Sequence, residues 1–136
     1  MTNPRWAIAL HEASHAVVAM AVGLPVEWVT IDAGREEGIF FTAAVKIPDE
    51  KIDRERDLFE ICVAMAAPSF LPTEDEEIDR YAALEASLAY TVAGRAGIPP
   101  ADVYAEARRW TIFREHEISE LADRLTEEGR VVFQAA

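Results

Sequence analysis

One helix constrains this chain more than any other feature. Asn3 followed by Pro4 is a start signal, a capping side chain ahead of a ring pre-set for the first turn. Gly23, with Pro25 just beyond it, is the matching stop. Helical spacing holds over residues 4–22, where Ala7, Ile8, His11, His15, Val18 and Val22 fall on one stripe. Whatever else the chain does, it must cover that stripe, and the stripe carries two histidines.

The remaining pattern predicts how it is covered. Residues 26–31 read V-E-W-V-T-I, a strand, and 39–47 read as a second strand. The charged, glycine-containing turn 32–38 between them predicts a hairpin. A second helix is predicted over 52–67, its second half apolar all round and therefore buried on all sides. Pro68 and Pro72 bracket a turn. Thr73 with Glu76 then reads as a capping box opening a third helix to residue 96. A last long helix is predicted over 101–128, with Val103, Ala107, Trp110, Ile118, Leu121 and Leu125 inward and Gly129 as its cap. A short strand is expected at 131–133. The expected fold is mainly α: a compact helical domain of about four helices, with a small β-hairpin after the histidine-bearing helix. The expectation is one domain over residues 1–136.

Composition narrows the function classes. The net charge is −12, from 25 acidic and 13 basic residues, and only Lys46 and Lys51 are lysines. Nucleic-acid binding draws most of its affinity from basic side chains on phosphates, so no nucleic-acid partner is expected. The longest uncharged run, 13–26, has 14 residues and contains Gly23 and Pro25, whereas a span needs about 20, so no membrane span is expected. Asn3, Pro4 and Arg5 lead straight into the first helix without the form of a signal peptide. Together with the acidic balance, this predicts a cytoplasmic setting. The single Cys62 lies in an apolar run and reads as inert packing.

The chemistry lies in residues 11–15, H-E-A-S-H. Two helix positions four apart are about 40° apart in angle and about 6 Å apart along the axis. His11 and His15 can therefore aim their imidazoles at one metal ion, with Glu12 beside that ion. This is what a zinc hydrolase needs: two neutral nitrogen ligands, and a carboxylate to take the proton of a metal-activated water. A lone histidine on an apolar face is usually a satisfied core residue. Two imidazoles and a carboxylate buried together without a task would cost several kcal/mol, so metal binding, with zinc as the cofactor, is the reading preferred here.

The stretch A-L-H-E-A-S-H-A-V-V-A-M-A-V-G-L-P-V-E-W-V-T-I, residues 9–31, resembles the peptidase domain of the FtsH-type AAA zinc metalloproteases. Those read H-E-A-G-H, an apolar helix, then a G-x-P-V-x-x-V-S/T-I strand; Ser14 here stands in place of the glycine. The stretch R-E-H-E-I-S-E-L-A-D-R-L-T-E-E-G, residues 114–129, is similar to the family's last helix. The resemblance implies a third ligand, an aspartate near the start of a later helix. Asp79, before R-Y-A-A-L-E-A, is favoured, with Asp75 as the alternate and Glu76, Glu77 or His116 as the remaining candidates. It also implies that Glu12 is the catalytic general base. The family's substrate strand is altered, since G-I-F-F-T at 38–42 replaces a pattern like L-G-Y-T.

No phosphate-binding G-K-[ST] loop is present, since Lys46 follows Val45 and Lys51 follows Glu50. The chain would therefore not unfold substrates itself, and the expected partners are a peptide or unfolded-protein substrate, with a separate unfoldase or a homo-oligomer as further possibilities. The leading expectation is thus an ATP-independent zinc metalloendopeptidase cutting short or unfolded polypeptides, held as an added strand along the 39–45 edge. The alternatives are a catalytically weak or inactive metal-binding adaptor module, and a regulatory protease that cuts one partner.

Overall fold

The computed structural model describes residues 3–32, 34–36, 39–41 and 44–133. The architecture is mainly helical, with five α-helices and a small three-stranded antiparallel sheet. Helix α1 spans Pro4–Ala21, with the Asn3 side chain accepting from the Arg5 N–H as the start signal requires. It is buried on more than a stripe. Ala7, Ala9, Ala13, Ala16 and Ala19 are inside along with Leu10, Val17 and Val18. So many alanines let neighbouring helices approach closely, and α1 packs on all four of them: α2 (Leu58–Ala66), α3 (Glu76–Arg95), α4 (Pro100–Phe113) and α5 (Glu115–Glu128).

The sheet corrects the simple hairpin. Strand β1 (Trp28–Thr30) does pair antiparallel with part of the predicted second strand, β4 (Ala44–Lys46), in the register Val29 opposite Val45. The intervening segment is not just a turn. It holds a separate two-stranded ribbon, β2 (Gly34–Glu36) against β3 (Ile39–Phe41). Residues 33, 37, 38, 42 and 43 of the predicted turn and strand lie outside the described residues. The other side of β1 is taken by β5 (Arg130–Val132), one residue earlier than predicted, in the order β4–β1–β5. Gly129 makes this last connection. It has φ 78, a left-handed conformation that glycine adopts without strain, and a Cβ there would displace the Asp32 carboxylate.

Three helix boundaries also differ. The predicted last helix is two, α4 (Pro100–Phe113) and α5, meeting at Arg114. No glycine or proline marks the bend. The bend is set by packing: Val103, Ala107 and Thr111 are buried from α4, and Ile118, Leu121, Ala122 and Leu125 from α5. The Arg114 guanidinium lies over Trp110 and Phe113 and reaches Glu117 at 2.6 Å. Helix α2 begins at Leu58 rather than residue 52. Asp53 accepts from the backbone N–H groups of Glu55 and Arg56, and Asp57 accepts from that of Asp53, so side chains hold the segment in turns. The Thr73–Glu76 capping box is replaced by Asp75, whose carboxylate accepts from the N–H groups of Glu77 and Ile78. Among the described residues, no helix is long and apolar enough to cross a membrane.

Candidate metal centre

Helix α3 lays an alanine stripe, Ala82, Ala86, Ala89 and Ala93, into the core. The helix packs chiefly on α2 and also meets α1, and its one acid between Arg80 and Arg95, Glu85, reaches α1. Glu85 Oε1 lies 2.8 Å from His11 Nε2 and 3.2 Å from His15 Nε2. The three residues offer one donor atom each within 4.8 Å of one another, so the group could hold a metal ion. The side chains are mostly shielded, 5% exposed for His11, 15% for His15 and 18% for Glu85.

The hydrogen bonds around the group fit a cation better than a closed polar network. His15 Nδ1 is 2.8 Å from the Ala64 carbonyl, which can only accept. The proton of neutral His15 therefore sits on Nδ1, and the Nε2 lone pair faces the Glu85 carboxylate. Two lone pairs at 3.2 Å call for a proton or a metal between them. His11 is more exposed to this problem. Both its ring nitrogens are buried without an aligned hydrogen bond, although Nε2 is close to Glu85. Donors about 2.1 Å from a tetrahedral ion would sit about 3.4 Å apart, near the spacing found here.

The charges respond to this crowding. Burial by itself would raise the Glu85 carboxyl, but the two imidazoles facing it outweigh burial and hold it at about 2. Burial would lower His15, yet Glu85, with Glu12 and the Ala64 carbonyl, shifts it upward. Glu12 goes up, driven first by burial and helped by the Glu85 charge, against the pull of His15 and His11. Tyr81 is raised by the Glu85 charge, then by burial and Glu12.

The cluster opens into a cavity of about 640 Å³ that Glu12 also lines. Its walls are chiefly apolar, lined by Ile8, Ile31, Val45, Ile47, Ile61 and Met65 together with Ile78 and Tyr81 from α3. Among the described residues, strand β4, which brings Val45, is an edge strand. Ser14, in the middle of the motif, is fully buried and satisfied by donating to the Leu10 carbonyl at 2.9 Å.

The structure thus brings His11, His15 and Glu12 together and replaces the expected aspartate. Asp79 is spent on the turn before α3. Its Oδ1 accepts from the Thr73 N–H at 2.8 Å and the Thr73 hydroxyl at 2.7 Å, and its Oδ2 from the Glu74 N–H at 3.2 Å. Asp75 is the cap of α3. Glu76 points at Arg80, and His116 pairs with Glu120 on the exposed face of α5. Glu77 lines the cavity but is not part of the donor group. The residue that sequence reasoning missed is Glu85. Its signal was there: the single charge of the run 81–94, seven residues after Ile78 and so on the same helix face. No protein-family model and no curated protein sequence matches this chain.

Proposed function

We propose that this chain is a zinc-dependent endopeptidase acting on short or unfolded polypeptides, similar to the peptidase domain of the FtsH-type proteases. The observation that carries the reading is the convergence of His11, His15 and Glu85, with Glu12 beside them at the wall of an open cavity. Two histidines and a glutamate are an established donor set for catalytic zinc, one that leaves a fourth position for water. An ion held there would supply the positive charge that lowers the pKa of a water toward about 7.

The chain's own residues do the rest. The Ala64 carbonyl fixes the His15 ring with its Nε2 toward the cluster. Glu12 takes the proton of the attacking water and delivers it to the nitrogen of the leaving amine. The apolar walls exclude other water and suit an apolar side chain next to the scissile bond. Strand β4 offers an edge against which an extended peptide can pair. A folded substrate would not present such a strand, which is why a cytoplasmic unfoldase belongs to this reading as partner.

Glu12→Gln tests it. The variant should load zinc as the wild type does and lose hydrolysis of casein by on the order of 10²–10⁴-fold, the usual size of a general-base contribution. A chain that loads zinc and cleaves nothing, with or without Glu12, would be a metal-binding adaptor instead.

A further inference from the structure

Peptide hydrolysis builds negative charge on the carbonyl oxygen, and an enzyme gains most by aiming a donor at that oxygen in advance. The described residues lining the cavity leave little choice of donor. Besides the imidazoles of the cluster, its polar side chains are Glu12, Glu77 and Glu85, which as carboxylates only accept, and Tyr81. Tyr81 is thus the one neutral O–H donor in that lining. It sits one turn before Glu85 on the same helix, about 6 Å along the axis. Its ring centroid is 5.9 Å from that of His11, inclined at 43°. The side chain is 59% exposed, so the phenol is held at the cavity rather than in the core.

We infer that Tyr81 is a catalytic residue of this site, donating its phenolic O–H to the oxygen of the scissile carbonyl as charge develops there. The inference rests on the peptidase reading given above. In the step it serves, the water oxygen bonds to the carbonyl carbon and the π pair moves onto the carbonyl oxygen, where Tyr81 meets it. The water proton goes to Glu12. When the C–N bond breaks, its electron pair goes to nitrogen, which takes the proton from Glu12. Tyr81 keeps its own proton throughout and ends unchanged.

The test is Tyr81→Phe, which removes one oxygen and preserves the ring. The expected result is a fall of about 100-fold in kcat, the size of one lost oxyanion donor, with KM and zinc content kept. A second readout is binding of a phosphinic peptide, whose tetrahedral oxyanion mimics the transition state, measured by calorimetry. Its affinity should fall by a similar factor, while a substrate peptide bound to the Glu12→Gln protein should bind equally well with and without the tyrosine hydroxyl. Unchanged kcat and unchanged phosphinate affinity in Tyr81→Phe would overturn the assignment and leave the backbone N–H groups of edge strand β4 as the donors. A parallel loss of zinc, substrate affinity and activity would also overturn it, by making Tyr81 a structural support. A wild type that loads zinc but neither cleaves peptides nor binds the phosphinate would instead bring down the peptidase reading itself, and this proposal with it.

Discussion

Helix α3 carries two sets of acids that look alike in sequence and differ in the fold. At its N-terminal end, Asp75 and Asp79 each face backbone N–H groups, two for Asp75 and two for Asp79, with the Thr73 hydroxyl in addition. Two turns further on, Glu85 faces the two imidazoles of α1. The first set is saturated by the chain itself, and the charge also opposes the helix dipole. The second set has side-chain donors that need a cation or a proton to be content. What makes an acid a candidate ligand is therefore not its distance from a motif in sequence. It is whether the folded backbone has already given it hydrogen bonds.

The sharpest way to break this comparison is to remove Glu85. Glu85→Ala should lower zinc affinity by at least about 100-fold, since two histidines alone leave the tetrahedron half empty. Competition with a chelating dye would read it directly, and circular dichroism would show that the helices remain. Zinc affinity within about threefold of the wild type would remove Glu85 from the site and return the third-ligand position to an acid elsewhere.

The limits of sequence reading here follow the same division. The α1 helix, its cap and its stop were legible because they depend on local chemistry, Asn3, Pro4 and Gly23. His11 and His15 were legible because a four-residue spacing on one helix fixes their geometry without any knowledge of the fold. Glu85 depends on two helices 70 residues apart meeting, and that contact is set by the tertiary packing of α3 on α2 and α1, not by any local signal. The bend at Arg114 was invisible for a similar reason, as packing on both sides sets it rather than a breaker residue. The resemblance that points to Asp79 falls at the start of a helix, where carboxylates have a local use that needs no metal.

Asp79→Ala supplies the opposite test, with a smaller effect of another kind. The Thr73 N–H and hydroxyl and the Glu74 N–H would lose their shared acceptor, and Glu74 sits at φ 69, a conformation that a non-glycine residue keeps only when its surroundings insist. Stability should fall by about 1–2 kcal/mol, the range for losing a capping side chain. Urea unfolding would show it as a lower midpoint with an unchanged slope. Zinc affinity should stay within about threefold, since none of the lost bonds touches the cluster. A drop of tenfold or more in zinc affinity, in a variant as stable as the wild type, would restore the aspartate reading and end the contrast drawn here.

The smallest effect belongs to Asp75. Its carboxylate accepts from Glu77 and Ile78 at 3.1 and 3.2 Å, longer bonds than the best of those at Asp79. It is one of four acids at this end of α3, with Glu76, Glu77 and Asp79, so the helix dipole keeps negative charge when one is removed. Asp75→Asn should keep the cap, because asparagine serves that position as well as aspartate does, and should change stability by less than about 0.5 kcal/mol. Asp75→Ala should cost about 1 kcal/mol, and neither variant should alter zinc binding. The pair separates the capping oxygen from the charge. Equal losses in both would mean that charge, not the hydrogen bonds, holds this end of the helix. A zinc deficit in Asp75→Asn would mean that the acids of this turn reach the metal after all, and that saturation by backbone donors does not disqualify a ligand.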